Sequence, residues 1–455
     1  MNSKRTLLIK LLVPLAKRVL KKYNPKIVAV TGSVGKTSTK DVIALVLRKK
    51  YQVWESKKNY NNEIGVPLTI VGGQEAGNSL IKWFVNFVNA LSLIVKRQEY
   101  PDVLVLEMAA DRPGDIDYLT KLFPPDVSVI TAIGPSHLEY FKTIDKVIEE
   151  KSAIVRNIKA DGTAIFNIDD EAVERIGSTV EVQKISFGVT AGADVYASDI
   201  RFTNELTEAV ARDVEMAQLE RSGQVTGLQF NVTYGHERQV PVFLPRALGA
   251  PQTSAALAGI AVGVALEMPI ADCISALGEY RPVPGRLTLI AGLKDSTIID
   301  DTYNSAPQSA LAALEVLRSM PVKGQRIAVL GDMLELGEYE QEGHEEVGKK
   351  VAQVANRLIT VGARGKLIAD AALQVGMPIE QVASVSNSTQ VEQLLQNDLQ
   401  PGDTVLIKGS QGVHMEHAVK DLMANPLQAK DLLVRQGREW RKEQYKNRSN
   451  IPASI

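Results

Sequence analysis

Short apolar runs alternate with longer segments of helical spacing over the first half of the chain. Residues 27–30, 103–106 and 164–166 are continuous apolar runs, and 127–130 is apolar except for Ser128. Such runs are typical of strands buried on both faces of a sheet. Between the first two runs, Thr39–Lys49 has the spacing of a helix. Such alternation predicts an α/β fold in which helices cover both faces of a mostly parallel sheet.

The pattern changes in the middle of the chain. From about residue 190 to about 245, polar and apolar residues alternate, as in Gln229–Tyr234, which predicts a small antiparallel elaboration. A helix rich in small residues is predicted over Ala255–Leu266. Arg281–Arg286 contains two prolines and a glycine, so we expect a hinge there. The elements predicted beyond it are strands at 297–299, 327–330, 358–361 and 405–407 and helices at 309–317 and 344–354.

The length of 455 residues exceeds one ordinary core, so at least two domains are expected. We predict a basic amphipathic helix at 1–24 and a central P-loop-type domain with a mostly parallel sheet at 25–283. A second doubly wound, Rossmann-like α/β domain is predicted at 284–437, followed by a polar tail at 438–455.

Composition narrows the class of protein. A hydrophobic content of 45% and a charged content of 23% are those of a soluble globular protein. The formal net charge of −1 does not indicate a nucleic-acid-binding protein. Cys273 is the only cysteine, which excludes an internal disulfide and fits a reducing cytoplasm.

Two apolar segments leave alternatives open. Residues 7–12 are apolar except Lys10, and basic residues follow, so the segment is too short for a signal peptide or a spanning helix. It could form a helix on an anionic membrane surface or one packed on its own domain, and we prefer the second interpretation. Ile81–Val88 raises the same choice at the inner membrane surface, and we favour a covered helix.

The strongest chemical signal is Thr31–Ser38, which reads Thr-Gly-Ser-Val-Gly-Lys-Thr-Ser between a strand and a helix. A polyphosphate needs open backbone N–H groups, a helix N-terminus, a lysine for charge and a hydroxyl for Mg²⁺. Glycines let the backbone approach, Lys36 can reach the terminal phosphates, and Thr37 can ligate the metal. We therefore expect bound ATP and Mg²⁺.

Three other residues have competing interpretations when taken alone. Glu107 ends a strand where open α/β sheets bind ligands, although it could also cap a helix or form a salt bridge. His137 is as consistent with a structural histidine as with a ligand. Lys151 lies in a helix-like segment beside Glu149 and Glu150, where a solvated lysine is the ordinary expectation.

The short loop motif resembles that of the Mur ligase superfamily, which includes cell-wall amino-acid ligases and folylpolyglutamate synthases. Val30 stands where the common P-loop has an additional glycine. Further stretches similar to family motifs are Asn61–Pro67, Glu107–Met108, His137–Glu139, Lys151 and Asn167–Asp170. The resemblance implies an ATP-dependent, ADP-forming ligase that joins a carboxylate to an amine through an acyl phosphate.

The resemblance also implies roles for individual residues. The implied ATP-binding residues are Gly32, Ser33, Val34, Gly35, Lys36, Thr37, Ser38, Asn62, Asn167, Arg286 and Asp301. The implied ligands of two Mg²⁺ ions are Thr37, Glu107, His137 and Lys151, with Lys151 carbamylated by CO₂. Lys36, His137 and Lys151 are the implied catalytic residues. For Arg286 and Asp301, a hinge ion pair and a cap are the structural alternatives.

The C-terminal half is similar to one branch of the family. Asp300–Asn304, Gly331–Gly337 and Lys408–Ser410 together resemble the ligases that add D-alanyl-D-alanine to a muramoyl-peptide precursor in peptidoglycan synthesis. The implied substrate-binding residues are Asn304, Asp332, Glu335 and Lys408, although Asp332 could equally cap a helix. The expected protein is a cytoplasmic monomer with small-molecule substrates.

Several positions depart from that branch. Only about 25 residues precede the first strand, so we expect the usual N-terminal UDP-binding domain to be lacking and the acceptor to be held differently. Gln411 replaces an arginine, which removes a cation that could bind a carboxylate. Gly249–Gln252 and Ser305–Pro307 also differ from the family pattern. The alternatives are a sister ligase with another amine or acceptor, such as a folylpolyglutamate-type enzyme, and an ATPase switch that does not ligate.

Overall fold

A computed structural model describes residues 3–57, 60–77, 79–134, 141–206 and 213–437. Within these ranges the chain forms two compact units. The first comprises residues up to 200 together with 230–243 and 250–280, and the second comprises 201–229, 244–249 and 281 onward. The chain therefore passes between the units before the predicted hinge at 281–286.

The helices of the described residues are α1 Ser3–Tyr23, α2 Lys36–Leu47, α3 Gly65–Ile70, α4 Leu80–Val95, α5 Asp115–Leu122, α6 Ile144–Arg156, α7 Glu171–Ser178, α8 Val214–Arg221, α9 Ala250–Ala265, α10 Ile270–Leu277, α11 Pro307–Ser319, α12 Glu340–Val351, α13 Gly365–Gln374, α14 Val391–Leu395, α15 Glu416–Leu422 and α16 Ala429–Leu432. The strands are β1 Lys26–Thr31, β2 Val53–Glu55, β3 Val103–Glu107, β4 Val127–Ile130, β5 Thr163–Asn167, β6 Gln183–Gly188, β7 Val195–Thr203, β8 Gly227–Tyr234, β9 Glu237–Pro245, β10 Thr288–Ala291, β11 Thr297–Asp301, β12 Arg326–Gly331, β13 Arg357–Val361, β14 Val382–Val385 and β15 Thr404–Lys408.

The first sheet has the order β2-β3-β1-β4-β5-β6-β7-β8-β9 and is parallel from β2 to β7. Residues 235–236 join the neighbouring strands β8 and β9, so these two must run antiparallel, as predicted. The order reverses around β1, which has β3 on one side and β4 on the other. This arrangement creates a switch point at the carboxyl end of β1, where open α/β sheets bind ligands.

Helix α1 is part of the core of the first unit. Leu12, Ala16 and Val19 are buried in the same apolar cluster as strands β1 and β3. These residues are four and three positions apart, which places them on one side of the helix, so α1 packs along that side. The preference for a helix packed on its own domain is confirmed.

Helix α4 differs from our expectation of a covered helix. Its Asn86, Ala90 and Leu93 are buried, but most of its other apolar side chains are exposed. The prediction failed because the apolar run is longer than one buried face needs, so hydrophobicity alone did not show which side packs.

The second unit contains a six-stranded sheet of order β10-β11-β15-β12-β13-β14. Strand β10 is antiparallel to β11, and the other pairs are parallel. Buried apolar residues form separate clusters that include Leu406 on one side and Ile407 on the other, as expected of a sheet with two covered faces. The predicted fold class, an α/β protein with a second doubly wound sheet, is confirmed.

Candidate active site

The loop between β1 and α2 contains two glycines that leave its backbone open to a closely approaching group. Gly35 has a φ of +85° at the start of α2, a conformation that favours glycine. At Gly32 space is limiting, because a Cβ there would lie 2.0 Å from the hydroxyl of Thr131. The ammonium of Lys36 donates to the carbonyl oxygens of Gly32 at 2.8 Å and Ser33 at 3.2 Å, so it lies over the loop.

The segment after β4 holds the loop from the other side. The Thr131 hydroxyl donates to the carbonyl of Val34 at 2.6 Å, and the Ser33 amide donates to the carbonyl of Ala132 at 2.6 Å. The Ser33 hydroxyl donates to the carbonyl of Gly134 at 2.9 Å. The Val34 side chain is exposed. Thr131 could not be predicted from the sequence, because nothing local marks a threonine after a strand as a support for a distant loop.

Glu107 lies beside this loop at the carboxyl end of β3. Its Oε2 accepts a hydrogen bond from the Thr37 hydroxyl at 2.9 Å, and its Oε1 accepts one from the Asn61 amide at 3.1 Å. Only 2% of Glu107 is exposed. Within the described residues it neither caps a helix nor forms a salt bridge, so both structural alternatives for Glu107 are wrong there. The contact of Asn61 with Glu107 was not predicted, although the neighbouring Asn61 and Asn62 lie in a stretch similar to a family motif.

The pair of oxygens from Thr37 and Glu107 fits a magnesium ion. Mg²⁺ is octahedral with oxygen ligands at about 2.1 Å, so two adjacent ligands lie about 3.0 Å apart. The observed separation of 2.9 Å between Thr37 Oγ1 and Glu107 Oε2 matches that edge. Among the described residues no three His, Cys, Asp or Glu side chains cluster as metal ligands. Mg²⁺ commonly takes only one or two carboxylates, with waters and phosphates completing its shell.

Lys151 on α6 is buried, with 4% exposure, so the interpretation as a solvated lysine is wrong. Burial and the neighbouring ammonium of Lys36 lower the pKa of Lys151 to about 7, against a smaller opposing effect of Glu150. The Glu150 carboxylate accepts hydrogen bonds from the amides of Gly114 at 2.6 Å and Ile116 at 2.7 Å at the start of α5. Glu150 thus fixes α6 to the start of α5. His137 lies outside the described residues.

The two asparagines predicted to bind ATP shape turns at the carboxyl edge of the first sheet. Asn62 Oδ1 accepts hydrogen bonds from the amides of Ile64 and Gly65 at the start of α3. Asn167 ends β5, and its Oδ1 accepts a hydrogen bond from the Asp169 amide at 3.0 Å. Ser38 lies in the first turn of α2. Roles of these residues in ATP binding stay predictions.

A buried ion pair lies at the carboxyl edge of the second sheet. The Lys408 ammonium donates to Asp301 Oδ2 at 2.6 Å and to the carbonyl of Asn304 at 3.0 Å. Asp301 Oδ1 accepts a hydrogen bond from the Leu287 amide at 3.2 Å. The Arg286 guanidinium lies 4.2 Å from the ring centroid of Tyr303. The structure therefore joins Asp301, Lys408 and the Asn304 backbone in one cluster.

The loop after β12 contributes two more predicted residues. Asp332 Oδ1 accepts a hydrogen bond from the Gly365 amide at 2.7 Å, at the start of α13, so Asp332 does cap a helix. The Ser410 hydroxyl accepts a hydrogen bond from the Leu334 amide at 2.9 Å and donates to the Ser305 carbonyl at 3.1 Å. The side chains of Glu335, Asn304 and Gln411 are exposed. Ser410 thus links the three loops that follow β11, β12 and β15.

Both halves of the chain match domains of known proteins. Residues 30–81 and 86–233 match the Mur ligase middle domain, and residues 285–411 match the Mur ligase glutamate ligase domain. The UDP-N-acetylmuramoyl-tripeptide–D-alanyl-D-alanine ligase of Bacillus subtilis is 30% identical over 414 residues, which cover 91% of this chain and 79% of that protein. The chain belongs to the Mur ligase family. Mur ligases are ATP-dependent peptide ligases, so this protein is an ATP-dependent ligase.

The fold of this Mur ligase is similar to those of solved MurF structures. A crystal structure of MurF from Acinetobacter baumannii is 26% identical with a TM-score of 0.71, covering 91% of this chain and 80% of that one. MurF from Thermotoga maritima, solved in complex with ADP, is 26% identical with a TM-score of 0.70, covering 91% of this Mur ligase and 83% of that chain.

Proposed function

We propose that this Mur ligase adds D-alanyl-D-alanine to a UDP-N-acetylmuramoyl-tripeptide in peptidoglycan synthesis and converts ATP to ADP and phosphate. The observation that carries the proposal is the buried Glu107 carboxylate, 2.9 Å from the Thr37 hydroxyl at the phosphate loop. The similarity to the Bacillus subtilis ligase supports the choice of substrates.

The chemistry we propose has two steps. A carboxylate oxygen of the acceptor attacks the γ-phosphorus, the bond to the β-phosphate oxygen breaks, and ADP leaves an acyl phosphate behind. The amine of the dipeptide then attacks the acyl carbon, loses a proton and expels phosphate as the peptide bond forms. Atoms and charges balance with one ATP consumed for each bond.

The residues of the first unit would position the first step. Lys36 lies over the loop and would place its positive charge on the terminal phosphates. Thr37 and Glu107 would hold a magnesium ion, and His137 and carbamylated Lys151 would hold a second. Mg²⁺ at these oxygens would supply charge neutralisation for the phosphoryl group. Asn61 would keep the Glu107 carboxylate in place through its 3.1 Å hydrogen bond.

Carbamylation of Lys151 is part of this proposal. CO₂ reacts with an unprotonated amine, and burial beside Lys36 keeps a substantial fraction of Lys151 unprotonated near neutral pH. The carbamate would turn a buried cation into an anion. That change would remove the repulsion between the two lysines.

The second unit would receive the incoming amine. Asn304, Asp332, Glu335 and Lys408 stay the proposed substrate-binding residues, with Asp301 and Lys408 setting the shape of the loop after β11. We also propose that the protein acts in the cytoplasm as a monomer. Within the described residues no helix is both long and apolar enough to cross a membrane.

A substrate panel tests the proposal. The protein is incubated with ATP, a UDP-linked muramoyl tripeptide and, in separate reactions, D-alanyl-D-alanine, single amino acids or glutamate with a folate acceptor. We expect the condensed product by mass spectrometry, with stoichiometric ADP, only with the tripeptide and D-alanyl-D-alanine. A product with another pair would identify a sister ligase. ADP release that is indifferent to every amine would identify an ATPase switch and refute the proposal.

A further inference from the structure

An apolar stripe runs along the exposed side of α4. Its side chains follow one another at intervals of one, three or four residues, which keeps them on one side of a helix, and their exposure ranges from 45% to 78%. The stripe consists of Ile81, Phe84, Val85, Val88, Leu91 and Val95. Soluble proteins seldom expose so many neighbouring large apolar side chains without a partner for them.

The opposite side of α4 fixes the orientation of the stripe. Ala90 and Leu93 are buried in the core of the first unit. The amide of the buried Asn86 accepts from the Gln74 backbone N–H at 3.0 Å and donates to the Gln74 carbonyl at 2.8 Å. The Trp83 indole donates to the Gly77 carbonyl at 3.0 Å. Turning α4 to bury the stripe would break these contacts.

The helix that packs against α4 is basic. Helix α1 exposes Leu7 and Leu11 and also Lys10, Lys17, Arg18 and Lys21 on its outer side. The ammonium of Lys22 donates to three carbonyl oxygens at the end of α4, at 2.7 to 3.0 Å, and ties the two helices together. Neither α1 nor α4 contains an aspartate or a glutamate.

We propose that α1 and α4 form a peripheral docking surface for an anionic lipid bilayer. The apolar stripe would enter the boundary between headgroups and acyl chains, and the lysines of α1 would lie near lipid phosphates. The charge of α1 favours a bilayer over other partners. A basic helix without acidic residues complements anionic headgroups, and the apolar stripe beside it complements the acyl chains. A second copy of the chain would bring two basic helices together.

The test uses the full chain and flotation with vesicles. Binding should be strong to vesicles of phosphatidylcholine with phosphatidylglycerol, weaker to phosphatidylcholine alone, and reduced by salt. The triple variant Ile81→Ser, Phe84→Ser, Val88→Ser should lower the partition coefficient at least about tenfold, because exposed apolar side chains lose their burial in lipid. The substitutions Lys10→Gln, Lys17→Gln and Lys21→Gln should each lower binding to anionic vesicles by roughly fivefold.

A matched control tests whether binding depends on this surface or on exposed apolar side chains in general. Ile379→Ser with Leu427→Ser removes exposed apolar side chains of the second unit and should leave binding unchanged. Failure of the wild-type protein to float with anionic vesicles would overturn the proposal, as would equal losses in the control. So would a dimer in sedimentation velocity that the triple variant dissociates, since a second copy would then cover the stripe. Ligase activity on water-soluble substrates should be the same in the triple variant, so this result is independent of the proposed function.

Discussion

The hydroxyl of Thr37 lies 2.9 Å from the carboxylate of Glu107, although the two residues are 70 positions apart in the chain. Strand pairing explains the contact, because Val30 of β1 is in register with Glu107 of β3. The loop that follows β1 therefore starts next to the carboxylate that ends β3. This relationship places the carboxylate that we propose as a magnesium ligand beside the loop that we propose binds the phosphates.

Glu107→Gln should reduce the rate of ADP formation by about 100-fold or more, because a neutral amide is a poor ligand for Mg²⁺ and metal charge is worth several kcal/mol. Raising the magnesium concentration should recover part of the rate. Glu99→Gln, the same change at an exposed position of the same unit, serves as the control and should behave as wild type. Turnover of Glu107→Gln close to wild type would rule out this residue as a metal ligand.

Lys36→Ala should lower ADP formation by roughly two orders of magnitude or more, since it removes the ammonium that lies over the phosphate loop. Lys49→Ala is a suitable control, because the Lys49 side chain forms a surface ion pair with Glu279. Steady-state ADP release and binding of an ATP analogue would be measured for both. A normal rate in Lys36→Ala would show that the phosphates bind elsewhere.

Lys151 should carry a carbamate at neutral and alkaline pH. Its pKa in the folded protein is lowered to about 7, so protonation increases as the pH falls through 7 and leaves less amine to react with CO₂. Protein equilibrated with ¹³C-bicarbonate should give a carbamate signal by ¹³C NMR, and both the signal and activity should decline below pH 7. Lys151→Gln should lack the signal, and Lys146→Gln on the exposed side of the same helix should keep it. A signal in Lys151→Gln equal to wild type would contradict the assignment.

Asp300 should make stability fall as pH rises. Burial raises the pKa of this carboxyl to about 7 from its ordinary value of 3.8, although hydrogen bonds from Thr302 oppose the shift. Between these values the folded state binds more protons than the unfolded state, so stability is lost from about pH 4 to pH 7, by on the order of 4 kcal/mol. Denaturant midpoints at pH 5 and pH 8 should differ less in Asp300→Asn. Asp431→Asn, at an exposed site, should keep the wild-type difference; an equal difference in Asp300→Asn would disprove the prediction.

The Lys408–Asp301 pair can be tested by a double-mutant cycle. Lys408→Met should destabilise the protein by about 3 to 5 kcal/mol, because it leaves a buried carboxylate without its cation. Adding Asp301→Asn should recover much of that loss, giving a coupling energy of at least about 1 kcal/mol in urea denaturation. Additive losses would mean that the 2.6 Å contact contributes little.

The local parts of the site could be predicted from the sequence. The phosphate loop and strands β1, β3 and β4 are encoded by short contiguous patterns, and parallel strands bring their carboxyl ends to one edge. Glu107 could be placed at that edge because it ends an apolar run. These inferences needed no knowledge of which strands are neighbours.

Other features depend on tertiary contacts and could not be predicted in this way. Lys151 looked like a solvated lysine, and its burial follows from the way Glu150 fixes α6 to the start of α5. Thr131 supports the loop only because β4 lies beside β1. The exposed stripe of α4 was expected to be covered, since an apolar run does not tell which of its sides faces water.

In the reaction that we propose, the terminal phosphoryl group of ATP is transferred to a carboxyl oxygen of the acceptor. The most direct measurement uses an acceptor whose terminal carboxylate is labelled with ¹⁸O, together with ATP and D-alanyl-D-alanine, and determines the isotope content of the released phosphate by ³¹P NMR. Transfer through an acyl phosphate predicts one ¹⁸O atom from the acceptor in each phosphate. Phosphate without ¹⁸O, accompanied by ADP, would show that water accepts the phosphoryl group and would contradict the proposed transfer to the carboxylate.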